Sequence, residues 1–500
     1  MEHVDDHVEH GARLAIIVAG VSIAAVMQFL DITIVNVALP VMGGNLGATF
    51  DEIGWVITAY SLAAIAVIPL SGWFAIRFGR KRYFIVSIVG FTVASALCGL
   101  SSSFGMLLAA RVLQGLFGGG MIPTSQAILV SSFARERQAV AQGIFGMIAV
   151  LGPGFGPTLG GWLTDRFSWP LIFFINVPLG VACVAMLGTT LREWPSLRRS
   201  VDVLGIALLV SGLAALQYFL ERGEVKQWFD DTGIVLAGMW AVIGLVWFVV
   251  HALRIREPVL DLRTFRNRNL TISAIGSFAI GANLYGSLLV LSLYFQNGLG
   301  FTAMLAGLLL ALRSAPTVVL APIATVLLQR RLVPVQSVAV AGFALLALGT
   351  YMLGRGVTPL SDAGTFVPGL LVIGVAFAFL WNPLALMALR GLPPQEIGYG
   401  AAIFNLSNQI GGSFSIAAVT TLQDRRTAFW WEALSSGLNL RNSALARLVQ
   451  GSNLHDVAAR LAQAVSVQAA VLSYRDVLFL LAIPPLVALP AILLSRRVAI

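Results

Sequence analysis

Apolar residues along this chain gather into runs long enough to cross a bilayer, with short polar breaks between them. A crossing helix needs about 20 consecutive apolar residues. Runs of that kind fall near 14–36, 53–74, 83–101, 106–130, 138–162, 170–190, 202–220, 233–252, 270–295, 303–328, 333–353, 366–388, 398–420 and 476–495. They predict an all-α integral membrane protein of about 14 helices. One polar stretch, 421–475, is too long to be a simple break. Leu440, Leu445, Leu448 and Val449, then Val457, Leu461 and Val465, recur there at helical spacing and predict short amphipathic helices. Trp430 and Trp431 beside Arg425 and Arg426 suit a membrane-interface anchor.

Composition agrees with lipid as the main solvent: 58% of residues are hydrophobic and 11% charged, against about 25% charged in soluble domains. The first run follows a polar, acidic tail over residues 1–13 and precedes no small-residue cleavage site, so it reads as a retained helix rather than a removed leader. A net charge of +9 could suggest nucleic acid, but the basic residues are distributed by side. Arg77, Arg80, Lys81, Arg82, Arg135, Arg137, Arg192, Arg198 and Arg199 fall in alternate loops on one face. Arg254, Arg256, Arg263, Arg266, Arg268, Arg330, Arg331, Arg390, Arg496 and Arg497 join them, whereas the opposite short loops hold only Arg166, Arg222, Lys226 and Arg355. That asymmetry predicts an inner-membrane protein with both termini in the cytoplasm, and no nucleic-acid partner. Cys98 and Cys183 lie inside spans and read as free thiols. His3, His7 and His10 have a spacing that could hold a metal on a helix. Among alternating acids they read instead as part of a solvated tail, and no metal site is assigned.

Against this apolar background Asp31 stands out. An ionised carboxylate at bilayer depth costs several kcal/mol, so one that persists has a partner or carries protons. Arg111, inside the fourth run, cannot shed its proton and needs a carboxylate, backbone carbonyls or water. Other polar residues at cavity depth are Asn36, Gln114, Asn283, Tyr285, Tyr294, Gln296, Asn382, Asn405 and Gln409, set among Phe29, Phe278, Phe377 and Trp381. Together they suit a large apolar pocket with few polar handles. No phosphate-cradling Gly-x-x-x-x-Gly-Lys-Ser/Thr loop is present, so ATP drive is unsupported.

Three stretches carry a family resemblance. Gly72-Trp73-Phe74-Ala75-Ile76-Arg77-Phe78-Gly79-Arg80-Lys81 resembles the inner-loop signature of the major facilitator superfamily, with Ile76 where members often have Asp. Its glycines allow a tight interhelical turn, and its basic cluster can bind helix C-termini. Arg111-Val112-Leu113-Gln114-Gly115 resembles the motif of proton-coupled members, which implies that Arg111 lies near the Asp31 helix. Gly152-Pro153-Gly154-Phe155-Gly156-Pro157-Thr158-Leu159-Gly160-Gly161 resembles the antiporter signature of the fifth helix, where small residues permit close packing and prolines bend a gate. With fourteen spans rather than twelve, the chain is similar to the fourteen-span drug:proton antiporters of the EmrB/QacA type. Trp169-Pro170-Leu171-Ile172-Phe173-Phe174-Ile175-Asn176-Val177-Pro178 resembles a stretch of that family, with Pro170 in place of the usual Arg, and Leu216 to Gly223 followed by Trp228-Phe229 is similar to the linker region of the EmrB subgroup.

The resemblance implies a major facilitator fold. A six-helix half at 14–190, two extra linker helices at 191–262, and a second half at 263–500 that includes the loop 421–475 are expected. A weak internal echo supports two like-oriented halves. Gly276 to Arg331 follows the plan of 14–82, and Gly400 to Thr420 follows Gln142 to Gly161. The expected function is proton-coupled efflux of amphipathic compounds by alternating access, with the proton gradient in place of any cofactor. An EmrA-like periplasmic adaptor and an outer-membrane channel are the implied partners. A dedicated exporter of one metabolite, siderophore or fatty acid would carry the same motifs. A lipid-acting membrane enzyme would need a nucleophile–base set, and no span holds a suitable histidine. Finally, Asn408 stands where the family commonly has arginine, and Arg313 where it tends to be apolar or small. Arg313 is therefore expected to supply, across neighbouring helices, the charge that position 408 lacks.

Overall fold

A computed structural model describes residues 9–193, 200–330, 332–390, 392–393, 396–436 and 454–495. Its helices follow the apolar runs. They are α1 (Gly11–Leu46), α2 (Trp55–Val67, then Ser71–Phe78 after a 55° bend), α3 (Arg80–Gly99), α4 (Phe104–Ser132), α5 (Gln138–Arg166) and α6 (Leu171–Thr190). After them come α7 (Val203–Arg222), α8 (Thr232–Arg254), α9 (Arg268–Gly298), α10 (Met304–Gln329), α11 (Val335–Gly356) and α12 (Ala363–Leu389). The last two are α13 (Ile397–Ser436) and α14 (Leu454–Leu481, continuing as Ile483–Leu493). Among the described residues twelve helices are long and apolar enough to cross a membrane, thirteen with the bent pair counted. The fourteenth, α13, is long enough, but Asn405, Asn408, Gln409 and four glycines dilute its apolarity.

Polar residues between the runs are largely helix caps. Ser103, Asp202, Asp231, Thr302 and Asp362 each accept a hydrogen bond from a backbone N–H of the following first turn. In lipid every backbone donor must be satisfied within the protein, so such caps decide where a helix can start. Gly79, at φ +86°, turns the chain sharply between α2 and α3, a conformation glycine alone adopts without strain.

The two halves are built alike. α5 lies along α1, and α13 lies along α9, matching the internal echo. The extra helices α7 and α8 are central only in chain order. α7 packs on α2 and α13: Tyr218 stacks on Trp55, Arg222 sits 4.5 Å above the Trp55 ring, and Gln217 Nε2 donates to Ser413 Oγ at 2.8 Å. α8 packs on α7 and presents Val242, Val246, Trp247 and Val250 outward, as a lipid-facing helix does.

The stretch 421–475 departs from expectation. Instead of short surface helices, α13 runs unbroken to Ser436, and α14 begins at Leu454, well before its apolar part. The two extensions are joined by polar contacts. Arg426 Nε donates to Asp476 Oδ2 at 2.9 Å, Gln423 Nε2 to Ser473 Oγ at 2.6 Å, and Trp430 Nε1 to Asp476 Oδ2 at 2.8 Å. Trp430 is thus held by a carboxylate, whereas Trp431 is exposed. Leu440, Leu445, Leu448 and Val449 lie outside the described residues, and Val457, Leu461 and Val465 are on α14. A fall in hydropathy marks where lipid ends, not where a helix ends. At 1.5 Å per residue, 421–436 carries α13 roughly 24 Å further.

A buried ion pair and a cavity between the halves

Asp31 sits mid-way along α1 and is 1% exposed. α4 presents Arg111 to it, with Nη1 donating to Asp31 Oδ2 at 2.7 Å. Gln114, one turn further along α4, donates from Nε2 to Asp31 Oδ1 at 2.8 Å and accepts from Arg111 Nη1 at 2.8 Å. Arg111 Nε donates to the Val56 carbonyl on α2 at 3.0 Å, and the guanidinium lies 4.2 Å above the Tyr60 ring. Gly115 makes this possible, since a Cβ there would collide with the Tyr60 carbonyl and hold α4 away from α2. All three polar side chains are inaccessible to solvent, and each charge is matched. Breaking such a pair by removing one partner costs about 3–5 kcal/mol. Protonating the carboxylate instead removes the charge while leaving hydrogen bonds in place.

The glycine–proline run lies against this cluster. On α5, Gly152 faces Phe29, Gly156 faces Thr33 and Gly160 faces Ile34, so every fourth residue backs onto the α1 segment that carries Asp31. Gly154, on another face of α5, abuts Ser314 of α10. α5 therefore touches the ion-pair helix on one side and the opposite half on the other, and Pro153 and Pro157 weaken its hydrogen-bond ladder between them.

At the basic end, Arg80 Nη1 donates to Ser131 Oγ at 2.8 Å and reaches the Ala127 carbonyl at the C-terminal end of α4. Lys81 lies beside it, partly exposed. Contacts between the halves gather toward this end. Gly72 packs on Gly398 and Tyr399, Gly146 packs on Trp381, Asn382 Nδ2 donates to the Ala139 carbonyl at 3.0 Å, and Asn405 Nδ2 donates to Gln126 Oε1 at 2.7 Å. Next to them is a narrow cavity, lined by Gln28, Phe29, Ile32, Tyr60 and Ile122 from one half and Tyr285, Asn405, Asn408 and Gln409 from the other.

Of the polar residues assigned to the cavity, Tyr285, Asn405 and Gln409 line it. Gln114 belongs to the Asp31 cluster instead. Asn283 is spent inside the second half, donating to Thr350 Oγ1 at 2.9 Å and the Leu481 carbonyl at 3.2 Å. Asn382 joins the halves, while Asn36 and Gln296 are exposed near the other end. Tyr294 donates to the Thr358 carbonyl at 2.8 Å. Helical period placed these residues at the right depth, but the face each helix turns to the cavity depends on packing that period alone does not specify. Tyr60, Gln28 and Gln126 escaped notice. Gln28, one turn before Asp31 on α1, carried the signal. Arg313 and Asn408 do not neighbour each other: Arg313 faces Leu284 and Ser287 of α9, whereas Asn408 donates to the Ser277 carbonyl lower on that helix. The expected replacement of one charge by the other is not supported. Both cysteines are free and buried. Among the described residues no group of three or more metal-ligating side chains forms, and His3 and His7 lie outside them.

Comparison with known proteins meets this geometry. The Major Facilitator Superfamily model matches residues 21–416. The chain is 35% identical over 435 residues, 86% of its length and 84% of the relative's, to the multidrug export protein EmrB of Escherichia coli K12. The chain belongs to the major facilitator superfamily, in its EmrB-type branch. It is also 32% identical over 460 residues, 91% of its length and 87% of the relative's, to the fatty acid resistance protein FarB of Neisseria gonorrhoeae. To the colistin resistance protein EmrB of Acinetobacter baumannii it is 31% identical over 419 residues, 83% and 81% of the two chains. Among solved structures, the proton:xylose symporter XylE superposes with a TM-score of 0.59 at 12% identity, covering 94% of this chain and 95% of that one. The human organic anion transporter MFSD10 gives 0.58 at 16%, covering 95% and 100%. At those identities the likeness concerns the fold.

The packing at Gly72 makes a prediction about gating. A Cβ there would lie 3.0 Å from the Tyr399 ring and 3.1 Å from the Gly398 backbone. Gly72→Leu is expected to hold the basic end open, because the bulk penalises only the state in which α2 meets α13. Labelling of a cysteine placed at Asn405 by a small thiol reagent should accelerate several-fold, with transport reduced in parallel. Unchanged labelling would show that this contact does not gate the cavity.

Proposed function

We propose that the protein exports amphipathic compounds from the cytoplasm across the bacterial inner membrane, driven by inward proton flow. The observation that carries this reading is the buried Asp31–Arg111–Gln114 cluster, backed by the glycine ladder of a helix that also touches the other half. A proton arriving at Asp31 neutralises the carboxylate, loosens its hold on Arg111 and removes the electrostatic reason for α1, α2 and α4 to keep their present arrangement. Because α5 packs on α1 at that level, a shift there is passed to the interface between halves. Loss of the proton on the cytoplasmic side resets the pair. Proton and substrate each move the equilibrium only through unequal affinity for the two states. The names of the EmrB relatives support multidrug efflux, and the name of FarB supports the narrower reading of a dedicated fatty-acid exporter.

The test of substrate range is export from cells lacking other pumps. A multidrug protein should lower accumulation of several chemically unrelated amphipaths, whereas a dedicated one should affect a single class.

The orientation belongs to this proposal, with the arginine-rich loops and both termini cytoplasmic. Because both native cysteines are buried, single cysteines at the exposed Ser102 and Ser200 report it on little background. A membrane-impermeant maleimide applied to whole cells with a permeable outer membrane should label the Ser102 site and spare the Ser200 site. The reverse pattern would invert the assignment. With the arginine-rich loops cytoplasmic, the helical extensions of α13 and α14 stand in the periplasm, open to an EmrA-like adaptor that leads to an outer-membrane channel.

A further inference from the structure

The second half contains a buried positive charge that no carboxylate balances among the described residues. Arg313 stands at a break in α10, between the helical segments Ala303–Leu312 and Ser314–Gln329, and is 1% exposed. Its Nη1 reaches the Leu284 carbonyl and Ser287 Oγ only at 3.5 Å each, the far limit of a hydrogen bond. Nε and Nη2 have no partner. α9, α10, α11 and α12 hold no Asp or Glu anywhere in their sequence, and among the described residues no carboxylate pairs with Arg313. Arg111 in the first half shows the contrast, being satisfied by Asp31, Gln114 and a carbonyl.

An uncompensated guanidinium at membrane depth is costly and cannot lose its proton, so the arrangement calls for an anion from outside the chain. The two vacant donors, Nε–H and Nη2–H, form one edge of the planar fork, the edge that takes both oxygens of a carboxylate side-on. Location favours a substrate. Arg313 reaches the carbonyl of Leu284, and the next residue on α9, Tyr285, packs its ring on Gly412 and lines the cavity. The following residue, Ser314, abuts Gly154 of the antiporter run. The cavity wall joins apolar Phe29, Ile32, Ile122 and Ala64 to the neutral amides of Gln28, Asn405, Asn408 and Gln409, and holds no charged residue of its own.

We propose that Arg313 is the head-group site for anionic amphipaths, a carboxylate docking on its Nε–Nη2 edge while the apolar tail occupies the cavity between the halves. The proposal rests on the efflux reading above and deepens it by naming a substrate class. It also gives the unpaired arginine a purpose distinct from the proton site: Asp31, held by Arg111, exchanges protons in one half, and Arg313 recognises charge in the other.

The test compares two probes with the same tail, dodecanoate and 1-dodecanol, titrated into the full-length protein in lipid nanodiscs at neutral pH. The Arg313→Met and Arg313→Lys variants are measured beside the wild type. Wild type should bind dodecanoate more tightly than dodecanol. Arg313→Met should weaken dodecanoate roughly ten- to hundredfold, the usual value of charge-assisted hydrogen bonds, and leave dodecanol nearly unchanged. Arg313→Lys, which keeps charge without the fork, should fall between them; it carries the test if the Met variant does not fold. Equal loss of both probes, or no loss of dodecanoate, would overturn the assignment. Replacing a bulky zwitterionic sulfonate buffer background such as HEPES by chloride at constant ionic strength separates a second source of negative charge. Loss of dodecanoate binding at low millimolar chloride would identify an inorganic-anion site and contradict a substrate role. Export of a cationic dye such as ethidium is followed alongside. Export with dodecanoate binding indifferent to Arg313 would sink the head-group site alone, whereas neither export nor binding in the wild type would sink the efflux reading with it.

Discussion

Asp31→Asn is expected to abolish uphill export while leaving the protein folded and able to bind substrate. Asn keeps the shape of the side chain, and its single amide oxygen can still accept a hydrogen bond from Arg111, but it cannot exchange a proton. It leaves the Arg111 charge uncompensated, so a stability loss approaching the about 3–5 kcal/mol of a broken buried pair accompanies the change. The double variant Asp31→Asn, Arg111→Gln removes that orphan charge and should recover much of the thermal stability. It should not recover export. A double variant that regains both would mean the pair is structural, held for packing rather than for protons. Substrate exchange without a gradient should survive the single change, because exchange needs the cavity and the rocking motion but no net proton transfer.

The second large effect is expected at Gly160. A Cβ there would stand 2.5 Å from the Ile34 carbonyl of α1, closer than real Cβ atoms approach a neighbour, and the obstacle is backbone that cannot rotate away. Gly160→Ala should therefore push α5 off α1 next to the segment that carries Asp31. Overpacking of this kind costs about 1–3 kcal/mol, which corresponds to roughly a five- to hundredfold loss if it falls on one conformational state. The adjacent Gly161 provides the control, since its Cβ would meet only Val37 Cγ1 at 3.6 Å, an ordinary contact. Transport assays on Gly160→Ala and Gly161→Ala should separate by at least about fivefold. Equal activity would show that the glycine run is not a close-packed hinge.

Much of this architecture was legible in the chain because lipid imposes a simple rule: apolar runs of membrane length become helices. The Asp31–Arg111 pairing was legible too, since a membrane-buried acid and base need one another, although their proximity came from a motif rather than from the residues alone. Gln114, read as a cavity residue, proved to be the third member of that cluster. The rule fails where a helix leaves the membrane. At Thr420 the apolarity drops, yet α13 continues because Arg426, Gln423 and Trp430 bind Asp476 and Ser473 on α14, a partnership between residues about fifty positions apart. Asn283 and Asn382 were misplaced for a related reason. Their depth follows from helical rise, but their direction depends on which neighbour offers an acceptor, and Thr350 and Ala139 are remote in sequence. The same limit hid the isolation of Arg313, which is visible only once α9 is seen to lie between it and Asn408.

The central claim is that substrate export is exchanged for protons at Asp31. Purified protein reconstituted in liposomes, with an imposed pH gradient and a pH-sensitive dye inside, tests it directly. Addition of an exported amphipath should dissipate the gradient with wild type and leave it intact with Asp31→Asn. Substrate-dependent proton flux that persists in Asp31→Asn, with the variant folded and binding substrate, would contradict the assignment of Asp31 as the proton carrier.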